Sequence, residues 1–536
     1  MPVISHMSQE TRWLICLCLF ALILRLIIPV TQQTSDSPLY LELAGQIRHG
    51  HLSIERFNEN VRFVQPGYSA IIAFVNVLVR DVKTSAIAVS VVSGALLVWL
   101  VFLLARSLSS VRVAWLSAIV IAIHPMFVSY SGRVLTESIF AFVVISVVYL
   151  FWRLRHSTKS WHFFVVGLLI GFAYLVRFVG LALLAGPLVY FIYQYYKKSI
   201  TFFSAFKFFL ILCIGALVVA GPYVYYLSRQ YDALTITGLQ SYYVGSYAQQ
   251  ALSNQDTEGS ETAVSKFAFQ YRLNDALNDY ISVVGGQTTT ETAQSVKSLT
   301  VSFIKNIPYN AKFIVINFLF EIIACIVIFI FWRQKAQNFK PLKYIYVLVW
   351  AGAIVLIPLI GRPLIRYYYA AVPLLVILTM AGFDILVARV RNTIFRSFII
   401  IGFLIVYPAY CLTVSGLVFN QSFVKISRAS TVDFAEEAGR AFQQAFGPGQ
   451  KVITNNRVFS YYSGGWQYPV PYARIPEIVA FANNNAIGYL VINTRISGYS
   501  GVGLDSLVHE YDEQYVRLWR VIGDQLIYTI VDRRGL

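Results

Sequence analysis

Runs of apolar residues close to twenty long recur along this chain, and short linkers rich in Lys and Arg separate them. A helix needs about 20 such residues to cross the hydrocarbon of a bilayer. In lipid an isolated strand leaves its N–H and C=O groups unpaired, whereas a helix pairs them internally, so the runs read as helices. The expected spans are residues 13–30, 84–105, 113–130, 135–152, 161–178, 180–196, 206–227, 314–332, 344–360, 367–388 and 397–418. Composition agrees: 13% of residues are charged, against about 25% in soluble domains. The expected fold class is a polytopic α-helical membrane protein of about eleven spans, and 536 residues leave room for a further domain.

The net charge of +17 invites a nucleic-acid reading. The basic residues instead sit in the linkers, as the positive-inside rule requires of a membrane protein. With the N-terminus in the cytoplasm, the inward loops hold Arg106 and Arg112; Arg153, Arg155 and Lys159; Lys197, Lys198 and Lys207; Arg333, Lys335, Lys340 and Lys343; and Arg389, Arg391 and Arg396. An odd number of spans then leaves the C-terminus outside. The first run contains Arg25 and lacks a small-residue cleavage site, so it reads as a retained helix rather than a signal peptide. The five cysteines fall inside apolar runs and read as small buried hydrophobes, not as a disulfide framework.

Everything long falls outside: residues 31–83, 228–313 and the tail. The first loop contains the apolar segment Tyr68–Val79 after Gln65-Pro66-Gly67, too short to span and suited to an interfacial or re-entrant place. The 228–313 loop is rich in Tyr, Gln and Thr, and its length suits a lid. The chain divides on this reading into a transmembrane body, 1–420, that includes both outer loops, and a small extracytoplasmic α/β domain, 421–536. Within the tail, a helix over 431–446 capped by Ser430, strands at 451–454 and 486–493, a helix at 475–484 and a final hairpin over 515–534 are expected.

Ionisable residues at the outer ends of spans are costly and mark function or structural pairing. Asp36 follows the first span in Ser-Asp-Ser-Pro-Leu-Tyr; it either caps the helix that carries Tyr40 or acts as a general base on a hydroxyl. Arg133 and Glu137, four apart in Arg-Val-Leu-Thr-Glu, share a face if both are helical, as an ion pair or as part of a site. Asp36 and Glu137 both fall on the outer side, where they can share a divalent cation or divide the roles of base and orienter. Arg177, Arg362 and Arg366 stand among outward segments, against the charge rule. They read as snorkelling anchors or as bidentate donors to phosphate. Tyr367 and its neighbours Tyr368 and Tyr369 can line a lipid or sugar groove. His124, before Pro125, reads as a packed histidine at a kink.

In this order and spacing the chain resembles the GT-C membrane glycosyltransferases that use lipid-linked sugars. It looks most like the bacterial branch related to protein O-mannosyltransferases and lipid A aminoarabinose transferases. The resemblance covers about residues 10–420 and rests on the span number and on five motifs: Asp36 with Pro-x-Tyr-x-x-x-Ala, Gln65-Pro-Gly-Tyr68, Arg133-x-x-x-Glu137, Arg177-Phe-Val-Gly and Arg366-Tyr. It implies that Asp36 is catalytic and that Glu137 shapes the site or holds a cation. Arg177, Arg362 and Arg366 would grip the lipid phosphate, with Arg133, Tyr40 and Tyr367 beside the donor. The family often has two adjacent acids where this chain has Asp36-Ser37, and His where it has Gln65.

The implied reaction is an inverting transfer of a hexosyl or pentosyl group, in cell-envelope glycan biosynthesis at a prokaryotic plasma membrane. The donor is a polyprenyl monophosphate sugar and the acceptor a hydroxyl of a lipid, polysaccharide or protein; no nucleic acid takes part. A polysaccharide polymerase or ligase shares the multi-span body but not the Asp36 context. A transporter would show paired halves and midplane polar residues, and neither is present in the sequence.

Overall fold

The computed structural model describes residues 9–28, 33–34, 36–54, 56, 64–232, 234–237, 319–333, 341–360, 365–419, 434–454, 456–468, 475–493 and 515–531. In chain order the first helices are α1 (Gln9–Ile27), α2 (Ser37–Ile47), α3 (Gly67–Val79), α4 (Val82–Leu108), α5 (Val111–Ile123), α6 (Pro125–Ser131), α7 (Glu137–Leu154) and α8 (Ser160–Val176). A 3-10 turn, Phe178–Leu184, leads into α9 (Ala185–Tyr196), followed by α10 (Phe202–Tyr231). Then come α11 (Leu319–Arg333), α12 (Pro341–Ile360), α13 (Ile365–Tyr368), α14 (Val372–Val387) and α15 (Thr393–Phe419). The tail holds α16 (Phe434–Phe446), β1 (Lys451–Ile453), α17 (Arg457–Ser463), β2 (Trp466–Tyr468), α18 (Ile475–Asn484), β3 (Tyr489–Asn493), β4 (Val516–Ile522) and β5 (Gln525–Ile530).

The chain forms two compact units. The helical unit comprises residues 1–30, 65–226 and 299–429. Helices occupy each of the eleven segments expected to span. Five helices among the described residues are by themselves long and apolar enough to cross, or six if the bent pair α5–α6 is one span. The protein is thus a multi-pass membrane protein. The apolar windows of α4 and α7 are 61% and 67% buried, whereas those of α10 and α15 are 22% and 11% buried. Phe203, Leu217 and Val218 of α10 face outward, as lipid contacts require. Cys16 also faces outward, and the other four cysteines are only partly covered, so none is the buried hydrophobe expected.

Local chemistry sets the ends of these helices. Asp81 caps α4 by accepting from the Thr84 N–H at 2.7 Å. Ser110 caps α5 through the Val113 N–H at 3.2 Å. At the other end His124-Pro125 breaks the helix, and α6 leaves at 50°. The His124 ring is buried, and its Nδ1 accepts from the Met126 N–H at 3.2 Å. It caps α6 as the expected packed histidine at a kink. The short α3 packs on α4 and α8. Gly67 permits this, because a Cβ there would lie 2.7 Å from the Leu175 carbonyl carbon.

The second unit comprises residues 31–64, 227–298 and 430–536. Its five-stranded sheet has the order β2-β1-β3-β5-β4. β1 pairs in parallel with β2 and β3, and the last two pairings are antiparallel. The parallel half needs crossovers, supplied by α17 and α18. Side chains alternate between the faces with period two. Val452, Val491 and Ile527 join Ala438, Phe442 and Phe459 on one face. Ile453, Leu490, Ile492 and Tyr528 join Ile478, Val479 and Ala482 on the other. The result is the expected α/β domain, with α17 and β2 as elements not foreseen; Ser430 lies outside the described residues.

Residues 31–64, which follow α1, are part of this second unit. Leu39 and Leu43 of α2 pack with Ile54, Val64 and Tyr461. Gln33 Nε2 donates to Tyr462 Oη at 2.5 Å and to Glu436 Oε2 at 3.2 Å. Arg56 pairs with Glu42 at 3.4 Å, and the Arg56 carbonyl accepts from the Gln467 N–H at 3.0 Å. Burial pushes the Tyr462 phenol well up, so it remains a neutral hydroxyl.

Phe442 is fully buried and packs against Phe446, Phe459 and Tyr489. Phe442→Ala should therefore destabilise this unit by about 3–5 kcal/mol. Chemical denaturation of the full chain, followed by tryptophan fluorescence, measures it; an unchanged midpoint would contradict the packing.

Candidate functional site

The turn between α6 and α7 carries Arg133 and leads into Glu137. Glu137 opens α7 and is 2% exposed. A carboxylate at a helix N-terminus faces the positive end of the helix dipole, yet its burial still demands a cation. Arg177, in the break between α8 and the 3-10 turn, supplies it: Nη1 lies 3.1 Å from Glu137 Oε1 and donates to Thr136 Oγ1 at 2.8 Å. Glu137 Oε2 is buried without a hydrogen-bond partner among the described residues.

Arg133 does not share a helical face with Glu137, contrary to expectation, because α7 begins only at Glu137 and residues 132–136 form a turn. Its guanidinium instead lies 5.4 Å from the centre of the Tyr130 ring, and its Nε is buried without a partner among the described residues. Tyr130, which the sequence did not single out, also packs at 5.4 Å against Tyr369, three residues beyond Arg366.

The other candidates stand as follows. Arg362 lies outside the described residues. Tyr367 is within α13, with its side chain outside the description. Tyr368 and Tyr369 are fully buried and line no groove: Tyr369 packs against Phe127 and Tyr130 at 4.4 and 5.4 Å. Asp36 and Tyr40 belong to the second unit. Asp36 immediately precedes α2, and its side chain makes no capping hydrogen bond to that helix. Capping therefore does not account for its presence.

Two buried charged residues of the helical unit were given no role in the sequence reading. Arg25 is 2% exposed within α1. Glu321 is 5% exposed in α11 and accepts from Tyr407 Oη at 2.5 Å. A charge inside an apolar run was the available signal for both.

Residues 64–226 match the family model described as dolichyl-phosphate-mannose-protein mannosyltransferase. That segment carries the 132–136 turn, Glu137 and Arg177. The sequence matches no curated protein. The archaeal oligosaccharyltransferase AglB from Archaeoglobus fulgidus, solved with an inhibitory peptide and a dolichol-phosphate, superposes with a TM-score of 0.60 at 12% identity, over 99% of this chain and 75% of that one. ArnT from Cupriavidus metallidurans, solved with undecaprenyl phosphate, superposes with a TM-score of 0.56 at 12% identity, over 98% of this chain and 99% of that one. The A. fulgidus oligosaccharyltransferase has also been solved with Zn and sulfate (TM-score 0.52, 14% identity, 94% and 71% coverage).

No group of three His, Cys, Asp or Glu gathers among the described residues, and Glu137 pairs with Arg177 through Oε1 while its Oε2 has no hydrogen-bond partner there.

Removing Arg177 strands a buried carboxylate. Arg177→Met should cost up to about 3 kcal/mol, and adding Glu137→Gln should recover most of it. Unfolding of the purified variants tests this; equal losses in the single and double variants would refute the pairing. The chain has the GT-C fold and resembles the polyprenyl-phosphate-dependent glycosyltransferases of the ArnT, AglB and protein mannosyltransferase kind.

Proposed function

We propose that this protein transfers a hexosyl or pentosyl group from a polyprenyl monophosphate donor to a hydroxyl of a lipid, glycan or protein acceptor, with inversion. The observation that carries this reading is the gathering of Arg133 and Arg177 at the turn that opens on Glu137. That gathering occurs in a fold shared with enzymes solved with dolichol-phosphate and undecaprenyl phosphate. Guanidinium groups donate charge-assisted bonds to phosphate oxygens. On this reading all eleven apolar segments cross a prokaryotic plasma membrane, the N-terminus is cytoplasmic, and the tail domain is extracytoplasmic.

Asp36 is the base. The acceptor oxygen attacks the anomeric carbon, its proton passes to Asp36, and the bond from that carbon to the phosphate oxygen breaks. Polyprenyl phosphate leaves with the electron pair. Arg177, Arg362 and Arg366 stabilise the charge that grows on the leaving phosphate, which is where fixed donors contribute most, with Arg133 beside the donor. Glu137 orients Arg177. Tyr40 and Tyr367 contact the donor. The energy comes from the lipid-linked sugar, so no nucleotide is needed.

The test is turnover of a panel of polyprenyl monophosphate sugars by the purified full chain, with an acceptor extract present. Asp36→Asn should lower kcat by about 10²–10⁴-fold, the range for a lost general base. Full activity in Asp36→Asn would remove it from catalysis, and no turnover of any donor by the wild-type protein would favour the polymerase or ligase reading. On this reading Arg177 is the cation that Glu137 holds, so turnover should persist in EDTA. Loss of activity that Mn²⁺ restores would contradict that.

A further inference from the structure

Arg25 is a positive charge inside the first membrane helix, and no Asp or Glu pairs with it among the described residues. Its four hydrogen bonds go to neutral groups: Ala21 O at 2.9 Å, Ala122 O at 3.1 Å, Ile121 O at 3.1 Å and Ser131 Oγ at 3.3 Å. Two of these acceptors follow from the chain break. The carbonyl of Ile121 would bond the N–H of residue 125, which is proline and has none. The carbonyl of Ala122 would bond the Met126 N–H, which His124 Nδ1 has taken. Arg25 therefore caps the carbonyls that His124-Pro125 leaves without donors, at the negative end of α5.

Its third target leads to the charged turn. Ser131 Oγ gives its single proton to Phe127 O at 2.6 Å. It must then accept from both Arg25 and Ser138, whose oxygen is 3.3 Å away. Ser138 in turn accepts from Tyr369 Oη at 3.4 Å. Ser131 and Ser138 bracket residues 132–137, and Tyr369 is three residues beyond Arg366. The contact has no slack on the α4 side, where a Cβ at Gly94 would lie 2.3 Å from Ser131 Oγ and 3.0 Å from Arg25 Nε.

We infer that Arg25 is a positioning residue: its guanidinium ties the α5–α6 break to Ser131 and so sets the placement of Arg133 and Glu137. Its consequence for donor binding rests on the function proposed above. A lysine keeps the charge but presents no planar fork to four acceptors.

The test uses the full chain in lipid nanodiscs, with Arg25→Lys and, as the gentler change, Ser131→Ala. Amide hydrogen exchange reads the placement without any ligand, and binding of undecaprenyl phosphate reads its consequence. Expected are faster exchange confined to 131–138 and undecaprenyl phosphate binding weakened about tenfold or more, as small misplacements do. Wild-type exchange in both variants overturns the inference. So does locally faster exchange with unchanged affinity, which would make the guanidinium a structural tie alone. If the exchange changes but wild-type protein has no affinity for undecaprenyl phosphate, the proposed donor falls and the tie stands.

Discussion

A carbonyl group in hydrocarbon must find a donor, and much of the helical unit follows from how this chain meets that demand beside Pro125. The break there bends α5 into α6 by 50°. His124 satisfies the new N-terminus and Arg25 the old C-terminus. The shortened α6 ends at Ser131, and the turn beyond it exists because α7 does not start until Glu137. A continuous helix through 113–154 would have spread these residues around a cylinder instead of collecting them at one bend.

The charges at that bend are ordered by cost. Glu137 is the most deeply buried, so it takes the paired position with Arg177. Arg133 rests over an aromatic face, which offers a cation weaker but real attraction. Arg133 is thus held by an aromatic ring rather than by a carboxylate among the described residues.

Much of the architecture was legible in the sequence. The tail was readable because its strands are bounded by turn residues and its helices have period 3.6, which leaves one register for Val452, Ile453 and Leu490. Residues 457–468 were not, because Tyr, Ser and Gly there satisfy neither period strongly. Arg133 and Glu137 were found, but their relation was misjudged: four-residue spacing implies a shared face only once a helix includes both. Arg177 as the true partner is 40 residues away in sequence, and local pattern carries no such information. Tyr368 and Tyr369 were legible as aromatic but not as buried, since Tyr serves equally in cores and at interfaces.

The bonds from Gln33 to Glu436 and Tyr462 bridge 403 and 429 positions of sequence. A ribosome adds about 5–20 residues per second, so the segment around Asp36 is made tens of seconds before the residues that hold it. During that interval α1 and α3 can enter the membrane while the stretch between them has no partner. Assembly of the second unit is therefore the last event of synthesis. A chain cut short before α16 would keep the Leu39, Leu43, Ile54 and Val64 cluster beside Asp36 but lose both partners of Gln33.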